Sequence, residues 1–157
     1  MSDELREGEV AVDLPPAADA ALRFIGVNRT PFATRDQCPR QGDPDDGPVC
    51  RIEVDPVWAD ALDGLENFEV IEVFYWLDRS RRDLVRQSPK SNGRTTGTFS
   101  LRSPVRPNPI GLSRVRFVGR EGNVLEVRGL DCLDGTPLID LKPDRCGFTV
   151  QAPPKGA

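Results

Sequence analysis

The chain has 157 residues, of which 38% are apolar and 29% charged, with a formal net charge of −4. That length fits one domain with a modest core; no apolar run nears the roughly 20 residues of a membrane span, and the acidic start carries no apolar leader, so a cytoplasmic globular protein is expected. The complete absence of histidine excludes Ser-His-Asp and Cys-His hydrolase sites, which leaves a carboxylate, lysine, tyrosine or cysteine as any general base.

Residues 1–20 mix Asp and Glu with Ala and Pro without a clean period and read as a loosely ordered lead. Leu22 to Asn28 reads as a first strand. Residues 35–48 are crowded with Pro, Gly, Asp and Gln and read as a loop. Val49 to Val54 alternates and predicts a strand. Asp55-Pro56 opens a short helix, with Asp as N-cap and Pro at the first helical position, Trp58, Ala61 and Leu62 on one face, and an end near Gly64. Phe68 to Leu77 is the strongest strand candidate and reads as buried. Residues 78–93 read as a basic connection with turn chemistry at Ser91-Asn92-Gly93, and Thr95 to Leu101 as a strand. Ile110 to Val118 predicts a strand, and Glu121-Gly122-Asn123 turns the chain into Val124 to Leu130 as a hairpin. Leu138 to Leu141 is a last short strand, and residues 151–157 are a tail.

Many short strands with turn signals predict a mainly β chain, an antiparallel single-sheet β-barrel with one or two short helices, as one domain over 21–150. No strand–helix alternation and no Gly-x-Gly-x-x-Gly after a strand argue against a Rossmann fold. Cys38, Cys50, Cys132 and Cys146 form no Cys-x-x-Cys pair. Buried free thiols are expected and no metal, with a Cys38–Cys50 bridge left open.

Charge is segregated. Between Arg79 and Arg120 stand eleven Lys or Arg and a single acid, Asp83, which leaves ten basic and 24 acidic residues elsewhere. Such a window suits a positive face for a phosphate-bearing partner. The competing reading is that strand alternation divides these arginines over two faces and pairs many with acids.

The densest chemistry lies in Arg102-Ser103-Pro104-Val105-Arg106-Pro107-Asn108-Pro109-Ile110-Gly111-Leu112. Three prolines fix φ and remove three backbone donors, and Gly111 permits either a sharp turn or a close approach by another group. A stiff backbone bearing Arg102, Arg106 and Asn108 fits a preorganised ligand site; a Pro-rich surface turn is the plainer reading.

Two blocks together carry a family resemblance. The first is Thr98-Phe99-Ser100-Leu101 running into that Pro-rich segment. The second is Leu130-Asp131-Cys132-Leu133-Asp134-Gly135-Thr136-Pro137-Leu138-Ile139-Asp140-Leu141-Lys142-Pro143. The chain resembles the TsaA-like family, also called YaeB-like or TrmO-like, over roughly residues 22–150. The resemblance implies a β-barrel S-adenosylmethionine-dependent tRNA methyltransferase that acts on N6 of threonylcarbamoyladenosine beside the anticodon. It also implies a homodimer with cofactor near the subunit interface.

On matching positions, the resemblance implies cofactor contacts from Pro39, Arg40 and Gln41, from Asp78 and Arg79, from Arg102, Arg106, Asn108 and Ile110, and from Leu133, Asp134, Gly135, Thr136 and Pro137. Many relatives carry a histidine pair partner where this chain has Asp78-Arg79, a departure that removes one potential proton acceptor. The small C-terminal extension of some relatives is expected to be missing. Either Arg102 or Arg106 is expected to clamp the cofactor carboxylate, Asp134 to accept from its ribose or ammonium, and backbone groups near Gly135 and Thr136 to read adenine. Without the second block, Asp134-Gly135 would be a plain turn pair. Asp78 or Asp140 is expected to take the N6 proton, although Asp140 reads equally as a structural acid. Arg81, Arg82, Arg86 and Lys90 are candidate tRNA phosphate contacts, or else a solvated basic loop. Two alternatives stay open: a same-fold methyltransferase with a small-molecule substrate, and a non-catalytic cofactor-binding sensor.

Overall fold

The computed structural model describes residues 4–90 and 93–144. Ser91 and Asn92 of the expected turn, Cys146, the end of the expected domain and the tail at 151–157 lie outside the described residues. Among the described residues nine strands form: β1 (Val10–Ala11), β2 (Gly26–Arg29), β3 (Val49–Val54), β4 (Val70–Trp76), β5 (Leu84–Gln87), β6 (Thr96–Gly97), β7 (Ile110–Glu121), β8 (Val124–Arg128) and β9 (Thr136–Pro143). The chain divides into two compact units, Leu22–Trp76 with Gly111–Ala157 and Met1–Ala21 with Leu77–Ile110. This division differs from the expected lead followed by one domain.

The larger unit is a closed six-stranded barrel in the order β2-β3-β8-β7-β4-β9. Its ladders run antiparallel, among them β2 with β3 and β9, β3 with β8, and β4 with β9. Alternation explains the closure. Ile71, Val73 and Tyr75 of β4, Cys50, Ile52 and Val54 of β3, and Leu125 and Val127 of β8 all turn inward and are buried, as a period of two requires. The β7–β8 hairpin forms as expected, with Glu121 opposite Val124 and Gly122 at φ +60°, the conformation that suits glycine at the first central position of a two-residue turn.

The interior is apolar except at one end. There Asn28, Ser113, Thr136 and Tyr75 are all buried. Buried polar side chains need partners, and Asn28 Nδ2 donates to the Thr136 carbonyl at 3.2 Å.

The short helix expected after Asp55 forms as a 3₁₀ segment, Pro56–Leu62, with Asp55 as N-cap and Pro56 leading. The other helical pieces among the described residues are three-residue 3₁₀ turns. No helix among the described residues is long and apolar enough to cross a membrane.

The smaller unit is a three-stranded sheet in the order β1-β5-β6. Two expectations change here. The presumed lead supplies β1, with Val10 opposite Arg86 and Ala11 opposite Leu84. The presumed strand Thr95–Leu101 is only Thr96–Gly97 followed by a 3₁₀ turn, Thr98–Ser100. Buried Gln87 causes the break. Its Nε2 donates to Thr98 Oγ1 at 3.0 Å and to the Val105 carbonyl at 2.6 Å, while Thr98 Oγ1 donates to the Leu84 carbonyl at 2.6 Å. Satisfying a buried amide thus curls the chain away from the ladder.

Candidate functional site

The Pro-rich segment is a braced turn in the smaller unit. Arg106 Nη1 donates to the carbonyls of Leu101 and Ser103, at 3.1 and 2.9 Å. Arg82 donates through Nε to the Pro107 carbonyl at 2.6 Å and through Nη2 to Asn108 Oδ1 at 3.3 Å. These guanidinium donors stand in for the amide donors that proline lacks. Arg102 is exposed, and among the described residues no hydrogen bond or ion pair engages its guanidinium. Of the two expected clamps, Arg106 holds the turn and Arg102 faces solvent. Asn108 is braced through its side chain, Pro109 is buried and Ile110 is exposed.

Asp78 and Arg79 are exposed in the turn that follows β4, where the Ser80 amide donates to the Leu77 carbonyl at 3.1 Å. Arg81 is held by Asp83 through two bonds of 2.7 and 3.0 Å. Arg86 is exposed, with Nη2 at 3.4 Å from the Thr95 carbonyl. Lys90 lines a surface cavity of about 560 Å³ with Arg6, Glu7, Ser88 and Thr95; none of the expected cofactor residues lines it. The basic window is therefore divided. Its last three arginines belong to β7 of the barrel and meet acids: Arg114 Nε donates to Asp144 at 2.7 Å, Arg116 to Asp45 at 2.7 Å, and Arg120 approaches Glu66 at 3.7 Å.

Within the barrel unit, two expected cofactor segments are anchored near the polar end. Leu133 to Thr136 is a tight turn: the Thr136 amide donates to the Leu133 carbonyl at 3.2 Å and Gly135 stands at φ +83°. Positive φ at the third turn position demands glycine. The amides of Asp134 and Gly135 donate to the carbonyls of Phe32 and Asn28, at 2.8 and 2.9 Å. Asp134 Oδ1 accepts the Thr30 amide at 3.2 Å, so its carboxylate already fastens this turn to the chain after β2. Pro39, Arg40 and Gln41 are exposed, and the loop is pinned just beyond them, where the Gly42 amide donates to Asp131 Oδ2 at 3.3 Å. A side chain at Gly42 would run into the Gly129 carbonyl, so the loop lies directly on backbone. Asp140 is exposed on β9 and accepts the Leu141 amide at 2.8 Å.

Asp131 links these segments to the barrel interior. Tyr75 Oη donates to Asp131 Oδ1 at 2.7 Å, Ser113 Oγ stands 2.8 Å from Tyr75 Oη, and Ser113 donates to Asp131 Oδ1 at 3.2 Å. Burial, and then the Asp131 charge, push the Tyr75 phenol far above its ordinary value, so it remains a donor. The neighbouring thiols Cys50 and Cys132 are pushed up to about 11 and about 12, in both cases first by burial. Cys38, Cys50 and Cys132 are all free thiols, which removes the open Cys38–Cys50 bridge. No cluster of metal-ligating side chains occurs among the described residues.

A model of the tRNA-methyltransferase O N-terminal domain matches residues 27–145. The chain belongs to this family. A probable S-adenosyl-L-methionine-binding protein, VirR, of Rhizobium radiobacter is 54% identical over 92% of this chain and 82% of its own. A tRNA (adenine(37)-N6)-methyltransferase of Mus musculus is 41% identical over 53% of this chain and 20% of its own length. The crystal structure of TrmO from Pseudomonas aeruginosa superposes with a TM-score of 0.67 at 29% identity, covering 89% of this chain and 63% of that one. The chain thus spans less than two thirds of the solved TrmO.

Within this tRNA-methyltransferase O domain, sequence reading missed Asp131, Tyr75, Ser113 and Gly42. One signal was present: Asp131 is an acid set between Leu130 and Cys132, both buried, and an acid amid core positions needs a specific set of donors. Tyr75 reads as ordinary apolar filling of a strand, and no local pattern marks its hydroxyl.

Proposed function

We propose that this chain is an S-adenosylmethionine-dependent methyltransferase that acts on N6 of the adenosine beside the tRNA anticodon, with the threonylcarbamoylated base as acceptor. The observation that carries the reading is the division of labour in the Pro-rich turn. Arg82 and Arg106 hold the backbone, while Arg102 presents an unengaged guanidinium from it. The name of the Rhizobium radiobacter relative supports the cofactor, and that of the mouse relative supports N6 of a tRNA adenine as the acceptor atom, the threonylcarbamoyl group resting on the sequence resemblance alone.

The residues fit the cofactor. Arg102 offers the planar fork that matches a carboxylate. The amides of Asp134, Gly135 and Thr136 are engaged internally, so this turn offers acceptors: its carbonyl oxygens for an adenine amino group, and the second oxygen of Asp134 for a ribose hydroxyl or an ammonium. The exposed Pro39-Arg40-Gln41 loop, Arg79 and Ile110 complete the proposed contacts. When bound, the cofactor supplies an already activated sulfonium methyl. The chain's task is alignment of acceptor nitrogen, methyl and sulfur, and orientation of that kind lowers barriers by about 7–11 kcal/mol in well-placed systems.

The N6 proton must also leave. Asp78 and Asp140 are both exposed, and the one Asp140 oxygen that accepts the Leu141 amide leaves the other available; either carboxylate is the proposed acceptor. Single-turnover methylation with Asp78→Asn and Asp140→Asn tests this: one slow variant is expected, and wild-type rates in both would remove the carboxylate base. Arg86 and Lys90 are the proposed phosphate contacts, since Arg81 is paired and Arg82 braces the turn. Assembly as a homodimer belongs to the same reading and is tested by light scattering.

One observation favours a second reading. The relative that matches nearly the whole chain is named for cofactor binding alone, which fits a non-catalytic sensor. Methyl incorporation into tRNA from cells lacking the protein separates the two: the methyltransferase transfers label, the sensor only binds.

A further inference from the structure

The carboxylate of Asp131 is approached by donors from three separate parts of the barrel unit. The Gly42 amide reaches Oδ2 from the exposed loop, Tyr75 Oη reaches Oδ1 from β4, and Ser113 Oγ reaches Oδ1 from β7. Asp131 itself lies two residues before the Leu133–Pro137 turn. That turn is fixed on its other side to residues 28–32 through the amides of Asp134 and Gly135 and through Thr30, whose Oγ1 donates to the Cys132 carbonyl at 2.8 Å. The exposed 39–41 loop has far fewer ties. Gln37 Oε1 accepts the amides of Ala33 and Thr34 upstream, at 2.7 and 3.3 Å, and Gly42 to Asp131 is the tie immediately downstream.

We propose that Asp131 is a positioning residue: its two oxygens clamp the Gly42 amide against the Tyr75–Ser113 pair and so set the 39–41 loop in register with the 133–137 turn for cofactor binding. The assignment of those two segments to the cofactor rests on the function proposed above; the clamp itself rests only on geometry. Asp131 touches no reacting atom. It acts by holding the exposed 39–41 loop against the fastened 133–137 turn, so that less order has to be gained on binding.

The chemistry calls for a carboxylate at this place. Tyr75, Ser113 and Gly42 are all donors toward it, and an ionised carboxylate is acceptor-only, with room for all three. Leucine is close in size but offers no acceptor, so it removes both sides of the clamp, whereas asparagine can keep the Gly42 bond by turning its amino group toward the two hydroxyls, which also accept. Tyr75 is fixed in turn by lack of space, since its ring fills the place of a side chain at Gly111.

The experiment uses the full chain and three proteins: wild type, Asp131→Leu, and Ile71→Val. Ile71 is fully buried in β4 and makes no part of the clamp, so its variant reports loss of stability alone. The Gly42 amide is followed in a nitrogen–proton correlation spectrum without ligand, and S-adenosylmethionine affinity by calorimetry. The proposal expects Asp131→Leu to shift the Gly42 resonance and speed its hydrogen exchange, and to weaken binding by about tenfold or more (a factor of ten being about 1.4 kcal/mol). Ile71→Val should leave both readouts near wild type. An unmoved Gly42 resonance, or equal weakening by both variants, overturns the proposal. If wild type binds no cofactor, the functional reading fails, and the Gly42 amide still decides whether the clamp exists.

Discussion

The Tyr75 ring occupies the space where a side chain at Gly111 would stand: a Cβ built there would collide with three ring atoms. Gly111, early in β7, and Tyr75, which ends the inward row of β4, thus pack directly against each other within the barrel unit. The φ of Gly111 is not positive. Close approach, the second of the two roles expected for it, is therefore what this glycine serves.

Gly111→Ala should consequently act as an overpacking mutation. Tyr75 is 4% exposed and hydrogen-bonded to Asp131 and Ser113, so the ring cannot swing aside without breaking a buried bond. A loss of about 1–3 kcal/mol is expected in urea unfolding. A change within about 0.5 kcal/mol, the range of inert surface substitutions, would show that the ring yields freely.

Replacing the turn braces should cost stability in proportion to what each leaves behind. Arg106→Met strips two carbonyls, Leu101 and Ser103, of a donor in a part-buried position, and about 1–3 kcal/mol is expected for groups left unsatisfied. Arg82→Met acts on an exposed brace, where water replaces the lost donor, and less than about 1 kcal/mol is expected. Thermal unfolding of the two variants checks the order; the reverse order would contradict the assignment.

The thiols should separate by reactivity. Thiolate is the reacting form, and burial holds Cys50 and Cys132 protonated far above neutral pH, at about 11 and about 12. Cys38 is raised too, first by burial and then by Asp131, but it is only half-buried. Mass-spectrometric mapping after brief alkylation in mildly alkaline buffer should find Cys38 modified ahead of the other two, which should react at rates set by unfolding. Prompt modification of Cys132 would contradict the buried polar end.

Acid should loosen the smaller unit through Glu9. Burial raises its pKa, but the amides of Arg6 and Ser88 both donate to its carboxylate, at 3.1 Å each, and the net shift is downward from 4.5. A depressed folded-state value means stability present above the unfolded value and lost as pH falls through the folded one. Glu9→Gln should therefore be less stable than wild type at neutral pH and converge with it in acid. A difference that persists unchanged at low pH would rule out this linkage.

Strands with clean alternation and ordinary turns were legible in the sequence. Val49–Val54 forms as expected to the residue, β4 lies within Phe68–Leu77, and the β7–β8 hairpin turns at Gly122. What was not legible depends on polar groups finding distant partners. β5 hides in the basic connection because its buried ends are Leu84 and Gln87, and only Thr98 and Val105 make the second tolerable. β1 spans two residues and pairs across more than seventy positions of sequence. Leu22 and Phe24 look like strand residues yet are exposed, and β2 begins at Gly26. The same limit governs the site. Arg102 and Arg106 are alike in the sequence, and only the carbonyls around Arg106 distinguish brace from free guanidinium. Asp131 was visible as an acid between core residues, but its three donors come from Gly42, Tyr75 and Ser113, far apart along the chain.

The most direct test of the account is a calorimetric titration of the folded chain with S-adenosylmethionine, beside the same titration of Arg102→Met. The account predicts saturable heat with one site per chain in the wild type. It predicts affinity weakened by about tenfold or more in the variant, as loss of a charge-assisted bond worth about 1.5–3 kcal/mol requires, with an unchanged melting temperature. Absence of heat from folded wild-type protein at millimolar cofactor, or equal affinity in the two proteins, would contradict it.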